Sequence, residues 1–212
     1  MWKLRYFLAQ NFDEFEFVAG TKQAAKAMID AVRSLDWSQI NKFCTPQSSG
    51  DIYALAQEYR KQLYPAIVRF DVDHFRTAMP TSVRTRYISD RWYLCVDMAF
   101  LGLRNVRDFD TQSEQQEMLK LTDQVLEKSK LQSHLTPGHQ RIVLGELLLT
   151  FHRELIGSEA NGSKLDYEAV AEPEAMSEPT DGWLIDNYKM HKIRLVNYSP
   201  VTMQYRIIEF RS

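Results

Sequence analysis

The spacing of apolar residues divides the chain into a helical half and a strand half. Asp13 followed by Glu16 has the spacing of a capping box, which predicts a helix opening there. Beyond it Phe17, Gly20, Thr21, Ala24, Met28, Ala31 and Val32 recur at three and four residues and share one helical face, while Lys22, Lys26, Asp30 and Arg33 fall largely away from it. Gly20 inside this run predicts a close approach by another backbone, because glycine in a helix interior costs about 0.5–1 kcal/mol relative to alanine. A short second helix from Asp36 puts Trp37, Ile40 and Phe43 inward, with Pro46 and the Ser48-Ser49-Gly50 cluster as its stop. Ile52, Leu55, Ala56, Tyr59 and Leu63 mark a third helix.

From residue 75 onward the period changes to two. Trp92, Leu94, Val96, Met98 and Phe100 alternate with Tyr93, Cys95, Asp97, Ala99 and Leu101. Arg141–Phe151 repeats the alternation, with Val143, Leu147, Leu149 and Phe151 on one side, and Trp183–Leu195 is a third long strand. Two shorter strands, around Phe75–Met79 and Val83–Ile88, are expected on either side of Pro80. The meander is interrupted twice. Residues 111–132 read as a helical insertion opened by Thr111-x-x-Glu114, with Met118, Leu121 and Val125 on one side, and residues 157–182 read as an acidic, aperiodic loop with Pro173 and Pro179. Val201–Phe210 reads as a further strand in a tail, 197–212. Helices first and an antiparallel meander afterwards is the α+β pattern, with the N-terminal helices packed on one face of a curved antiparallel sheet.

Charge adds one asymmetry. The loop 157–182 holds seven acids against a single lysine, a net −6 that leaves +4 on the rest of a chain whose total is −2. With no basic stripe, a general nucleic-acid binder is not indicated and no DNA partner is expected; the mildly basic body still suits a position near anionic lipid or RNA. Cys44 and Cys95 stand alone, without the close spacing of a redox or zinc pair, and read as buried thiols. No apolar run approaches the ~18–20 residues that span a bilayer. Met1–Gln10 is basic and aromatic but shorter than a complete transit or signal peptide.

Candidate chemistry is sparse. His134 and His139 flank Thr136-Pro137-Gly138 without further ligands, and Asp71-x-Asp73-His74 lacks a calcium-loop continuation, so no metal or other cofactor is implied. Phosphate-loop, dinucleotide-binding and nucleophile-elbow patterns are missing. Glu146 and His152 share a strand face but lie six residues apart, roughly 20 Å at ~3.3 Å per residue, too far for the ~3 Å of proton relay. Asp97 across from His152 is the one pair that strand geometry permits, and solvated strand polars are the reading preferred here. No catalytic residue is assigned.

Leu4-Arg5-Tyr6-Phe7-Leu8, the run Phe12 to Ala24, and Trp183-Leu184-Ile185-Asp186 through Lys189-Met190-His191-Lys192-Ile193 resemble the C-terminal domain family of the 44-kilodalton subunit of the mitochondrial presequence translocase. Its members include a protein that interacts with the matrix AAA peptidase and a large-subunit protein of the mitochondrial ribosome. The resemblance implies a cone-shaped, nuclear-transport-factor-2-like domain over 13–196, without catalytic residues. It also implies peripheral residence at the matrix face of the mitochondrial inner membrane, as an adaptor in biogenesis, sorting or protection of membrane proteins. The partners implied are an AAA protease, imported membrane subunits or the mitochondrial ribosome. A structural place in that ribosome, and a cone-fold enzyme or small-ligand binder using Asp97 and His152, are the alternatives. Candidate membrane or partner contacts are Trp2, Lys3, Arg5 and Phe7 of the segment 1–12, a composition suited to the headgroup boundary or to packing on the body, and Met118, Leu121 and Val125 of the insertion.

Overall fold

The computed structural model of the chain describes residues 13–61, 69–128, 140–155 and 182–209. Helix α1 (Glu14–Ser34) starts where expected: Asp13 is extended and its carboxylate accepts from the Phe15 and Glu16 amides, two of the four amides that a helix start leaves unpaired. Its buried face is Phe17, Thr21, Ala25, Met28, Ile29, Ala31 and Val32. Gly20 corrects the expectation of a close backbone approach: it is exposed, and a Cβ built there meets nothing within 4 Å. The face is centred on the i, i+4 row through Phe17, Thr21 and Ala25, which swings Gly20 toward solvent.

Helix α2 (Trp37–Phe43) is capped by Asp36 and buries Ile40, whereas Trp37 is exposed and meets Tyr53 edge-on at 5.1 Å. Pro46 does not stop this helix. It opens α3 (Pro46–Arg60) at a position where its missing N–H costs nothing, with Thr45 as the cap and Ser48 bonded to Thr45. Ile52 and Ala56 are buried and Leu55 and Tyr59 partly so, as the periodicity predicts; Leu63 lies outside the described residues.

Five strands follow in the order β1-β2-β3-β4-β5, all antiparallel: β1 (Phe75–Ile88), β2 (Arg91–Asn105), β3 (Gln140–Glu154), β4 (Leu184–Ser199) and β5 (Gln204–Glu209). The tail therefore does add a strand. Pro80, expected to separate two strands, instead sits in one continuous strand at a register shift between Pro80 and Ser82. It is tolerated because β1 is an edge, where a missing N–H leaves no ladder bond unmade. The β1–β2 turn uses Ser89 and Asp90, both with positive φ (48° and 62°), the geometry of a two-residue hairpin. Helix α4 (Gln112–Lys128) occupies the insertion, opened by Thr111, whose hydroxyl accepts from the Glu114 amide.

One face of the sheet carries all the described helices. Leu94, Val96, Met98 and Phe100 of β2 and Leu147, Leu149 and Phe151 of β3 join Phe17, Met28, Ile29, Ile40 and Ile52 in the main core. Val125 and Leu126 of α4 close a second cluster on Leu195 and Ile208. Phe70 lies across Gly102 and Gly145, register partners on adjacent strands whose added Cβ atoms would stand 2.8 and 2.5 Å from its ring. Arg104 anchors the chain beside it, donating to the carbonyls of Arg69 and Asp108 and stacking 3.9 Å over Phe109. The chain is thus α+β, with helices on one face of an open, curled antiparallel sheet. Arg86 on β1 reaches across β2 and β3 to Asp186 on β4 in an ion pair of 3.6 Å.

Candidate functional site

No described helix covers the other face of the sheet, and its two halves differ in chemistry. The half near the β1–β2 turn is polar. Strand alternation places Arg84 and Arg86 of β1, Tyr93, Cys95 and Asp97 of β2, and Thr150 and His152 of β3 side by side. Asp97 accepts from the Thr150 hydroxyl at 2.7 Å and pairs with Arg84. Burial pushes its carboxyl upward, but the bonds from Arg84 and Thr150 outweigh that and hold it below the usual carboxylate range. Asp186 is pinned from the helical side by the Thr45 hydroxyl at 3.0 Å while it meets Arg86. Thr45 follows the isolated bridge of Cys44 to Ile185, which extends the sheet beside β4.

The Asp97–His152 pair does not come together. In the register Asp97 faces Thr150 and His152 faces Cys95, one step along the same side, and both Asp97 oxygens are engaged elsewhere. His152 stacks on Tyr93 at 4.4 Å, with Nε2 buried and without a hydrogen-bond partner among the described residues. Burial lowers its pKa, and the nearby Arg86 lowers it further, against the opposing field of Asp186. Cys95 is buried, its thiol pushed up to about 11 chiefly by burial; Cys44 is likewise pushed to about 12. Neither offers a thiolate at neutral pH. Glu146 is bonded to Arg194 at 2.9 Å. Arg84, Asp97 and Thr150 engage one another, and Arg86 and Thr45 engage Asp186, while His152 Nε2 stays without a hydrogen-bond partner among the described residues.

Asp71 and His74 also resolve into local structure. They cap the turn Val72–His74 before β1, with Asp71 accepting from the Val72 amide and His74 Nδ1 accepting from the Asp71 amide, each at 2.9 Å. Among the described residues no three His, Cys, Asp or Glu side chains gather as a metal-binding group, and no helix is long and apolar enough to cross a membrane. His134, His139 and the acidic loop up to residue 181 lie outside the described residues.

The half toward the β4–β5 hairpin is richer in apolar side chains, but the ion pairs of Arg194 with Glu146 and Glu209 cross it. Leu101 and Leu103 of β2, Leu144 and Leu148 of β3 and Val196 of β4 are partly exposed, and Ile207 of β5, paired with Val196, is 52% exposed. Tyr205 at 66% and Met203 at 71% extend the stripe, with the Tyr198 hydroxyl donating to the Met203 sulfur at 3.0 Å.

Of the contact residues expected from the sequence, Trp2, Lys3, Arg5 and Phe7 lie outside the described residues. Met118 and Val125 are buried and Leu121 is half-buried, so their contact is an internal one; a partner meeting α4 faces Leu119 instead. Tyr205 and Ile207 were not singled out by sequence reasoning, although their alternation with Arg206 and Ile208 carried the signal. Compared with protein-family models, with curated proteins and with solved structures, the chain matches none.

Proposed function

We propose that the protein is a non-enzymatic adaptor, peripherally attached at the matrix face of the mitochondrial inner membrane. There it holds protein partners during the biogenesis, sorting or protection of membrane proteins. The observation that carries the reading is the division of the sheet: one face is covered by the described helices, while the other presents partly exposed apolar side chains (Leu101, Leu103, Leu144, Val196 and Ile207) beside a largely ion-paired polar half. A face of this kind suits protein contact. The family resemblance of the two chain ends supports the location and the cone-shaped, nuclear-transport-factor-2-like form of the domain. A structural place in a large assembly such as the mitochondrial ribosome is the second reading, favoured by the exposed side chains of β5.

Affinity purification from mitochondria with quantitative mass spectrometry separates the two. An AAA protease or inner-membrane subunits support the adaptor, and ribosomal proteins in stoichiometric yield support the assembly component. Absence of the chain from mitochondrial fractions overturns both. Membrane attachment is tested by flotation with cardiolipin-containing liposomes. The segment Met1–Gln10 carries Lys3 and Arg5, and two cations contribute about 1 kcal/mol each near an anionic surface, so binding should be lost at high salt.

A further inference from the structure

The two edges of the sheet are finished differently. Edge β1 is blunted by Pro80, two register shifts and the cations Arg76, Arg84 and Arg86, the devices by which sheets discourage pairing with other chains. Edge β5 has no proline and pairs with β4 in unbroken register over six residues. Its outward rim carries Tyr205 and Ile207, both exposed. Six residues suffice for a regular strand pairing. The rim also has a charge signature. Glu209 is engaged by Arg194 at 3.4 Å, whereas no described acid answers Arg206.

We infer that β5 is a docking edge that takes an extended segment of a partner protein as a sixth strand. Unpaired backbone groups at a sheet edge accept another extended backbone. Tyr205 and Ile207 lie on one side of the strand and Arg206 on the other. The incoming segment therefore carries apolar side chains at alternate positions beside Tyr205 and Ile207, with a carboxylate between them that reaches Arg206. A second copy of this chain is the poorer occupant. Antiparallel self-pairing that sets Tyr205 against Ile207 also sets Arg206 directly against its own copy, and like charges directly opposite are destabilising. The inference holds wherever in the cell the protein works, so its failure leaves the mitochondrial adaptor reading to the fractionation test.

The test is selection of a displayed random decapeptide library on the immobilised full chain, with Ile207→Lys and Arg206→Glu chains in parallel. Circular dichroism and melting confirm that both variants fold, as the exposure of these side chains predicts. The expected outcome is enrichment of segments with apolar residues at every second position and an acid between them. Ile207→Lys should abolish the enrichment. Arg206→Glu should weaken the selected acidic peptide by about tenfold in fluorescence anisotropy and shift the selected residue to Lys or Arg. Overturning outcomes are the absence of enrichment, enrichment indifferent to both variants, or a dimer in sedimentation equilibrium that Ile207→Lys dissolves, which makes a second copy the occupant.

Discussion

Replacing Gly145 by alanine probes the tightest spot in the fold. An alanine Cβ there would stand 2.5 Å from Phe70 Cε2 and 2.9 Å from Cζ, where ordinary contact begins at 3.4 Å. The neighbour that must yield is poorly placed to do so. Phe70 is 3% exposed, its ring packs on Phe75 at 6.2 Å between centroids, and Phe75 packs on Phe100 at 5.6 Å. Arg104 holds the backbone just before it through the Arg69 carbonyl. Moving the ring by roughly 1 Å therefore disturbs a chain of aromatic contacts, and overpacking of this kind costs about 1–3 kcal/mol. Alanine also reduces the freedom of the unfolded chain, which returns about 0.4–1 kcal/mol. The net expectation is a loss of ~1–2 kcal/mol and a fall in Tm of about 2–4 °C per kcal/mol. Urea unfolding followed by tryptophan fluorescence measures it. A Phe70→Leu background supplies the control: Phe70→Leu alone destabilises, but Gly145→Ala should cost distinctly less in that background, a coupling of ~0.5–3 kcal/mol. Equal cost in both backgrounds, or an unchanged or raised Tm for the single variant, refutes the packing of Phe70 on paired glycines.

Gly20 makes the opposite case: with open space at its Cβ, Gly20→Ala should raise stability by about 0.5–1 kcal/mol, and a clear loss in Tm refutes the exposed position. Asp97→Ala leaves Arg84 and Thr150 without their shared acceptor and should cost ~1–3 kcal/mol in urea unfolding, toward the low end because the pair is nearly one-third exposed. Burial holds His152 and His74 below the ordinary histidine value of about 6.5, with Arg104 adding to the effect on His74. Their folded pKa values are lowered, so the unfolded chain takes up protons first; stability is complete above pH ~6.5 and falls as pH drops toward 5, with a slope that His152→Leu should reduce. Cys44 and Cys95 should resist iodoacetamide at pH 7.5 and react fully in denaturant, as mass spectrometry would show.

Periodicity made most of the architecture readable. Long runs of period 3.6 and period 2 reflect one-sided burial, which is why α1, α3 and α4 and strands β2, β3 and β4 emerge from the spacing of single residues. The misread positions are those where one residue type serves opposite local roles. Pro46 starts a helix and Pro80 occupies an edge strand, although both read as breaks, because what decides is whether the missing amide had a partner to lose. Gly20 read as a close packing point and is open, while Gly102 and Gly145, hidden inside well-patterned strands, are where a ring lies on the backbone. That distinction depends on Phe70, distant in sequence and invisible to any local pattern. The outer face was half legible: alternation put Asp97 and His152 on one side, but only the register shows them one step apart and engaged with different partners.

The two faces of the sheet link these observations to function. Gly102 and Gly145 admit Phe70 against the backbone on the helical face, and the Arg86–Asp186 pair ties β1 to β4 across the other face. Much of the polar half of the outer face is engaged internally, Arg84 and Thr150 with Asp97 and Arg86 with Asp186. The helical face is spent on the core. Among the described residues, internal packing leaves exposed the β5 rim, where Tyr205 and Ile207 stay out although the strand has a buried side that takes Ile208. Apolar side chains there add nothing to the core, and on an edge without proline or bulge they favour unwanted association. Their placement is accounted for by a partner, and the β4–β5 hairpin is therefore the first region of the molecule to alter when the partner is sought.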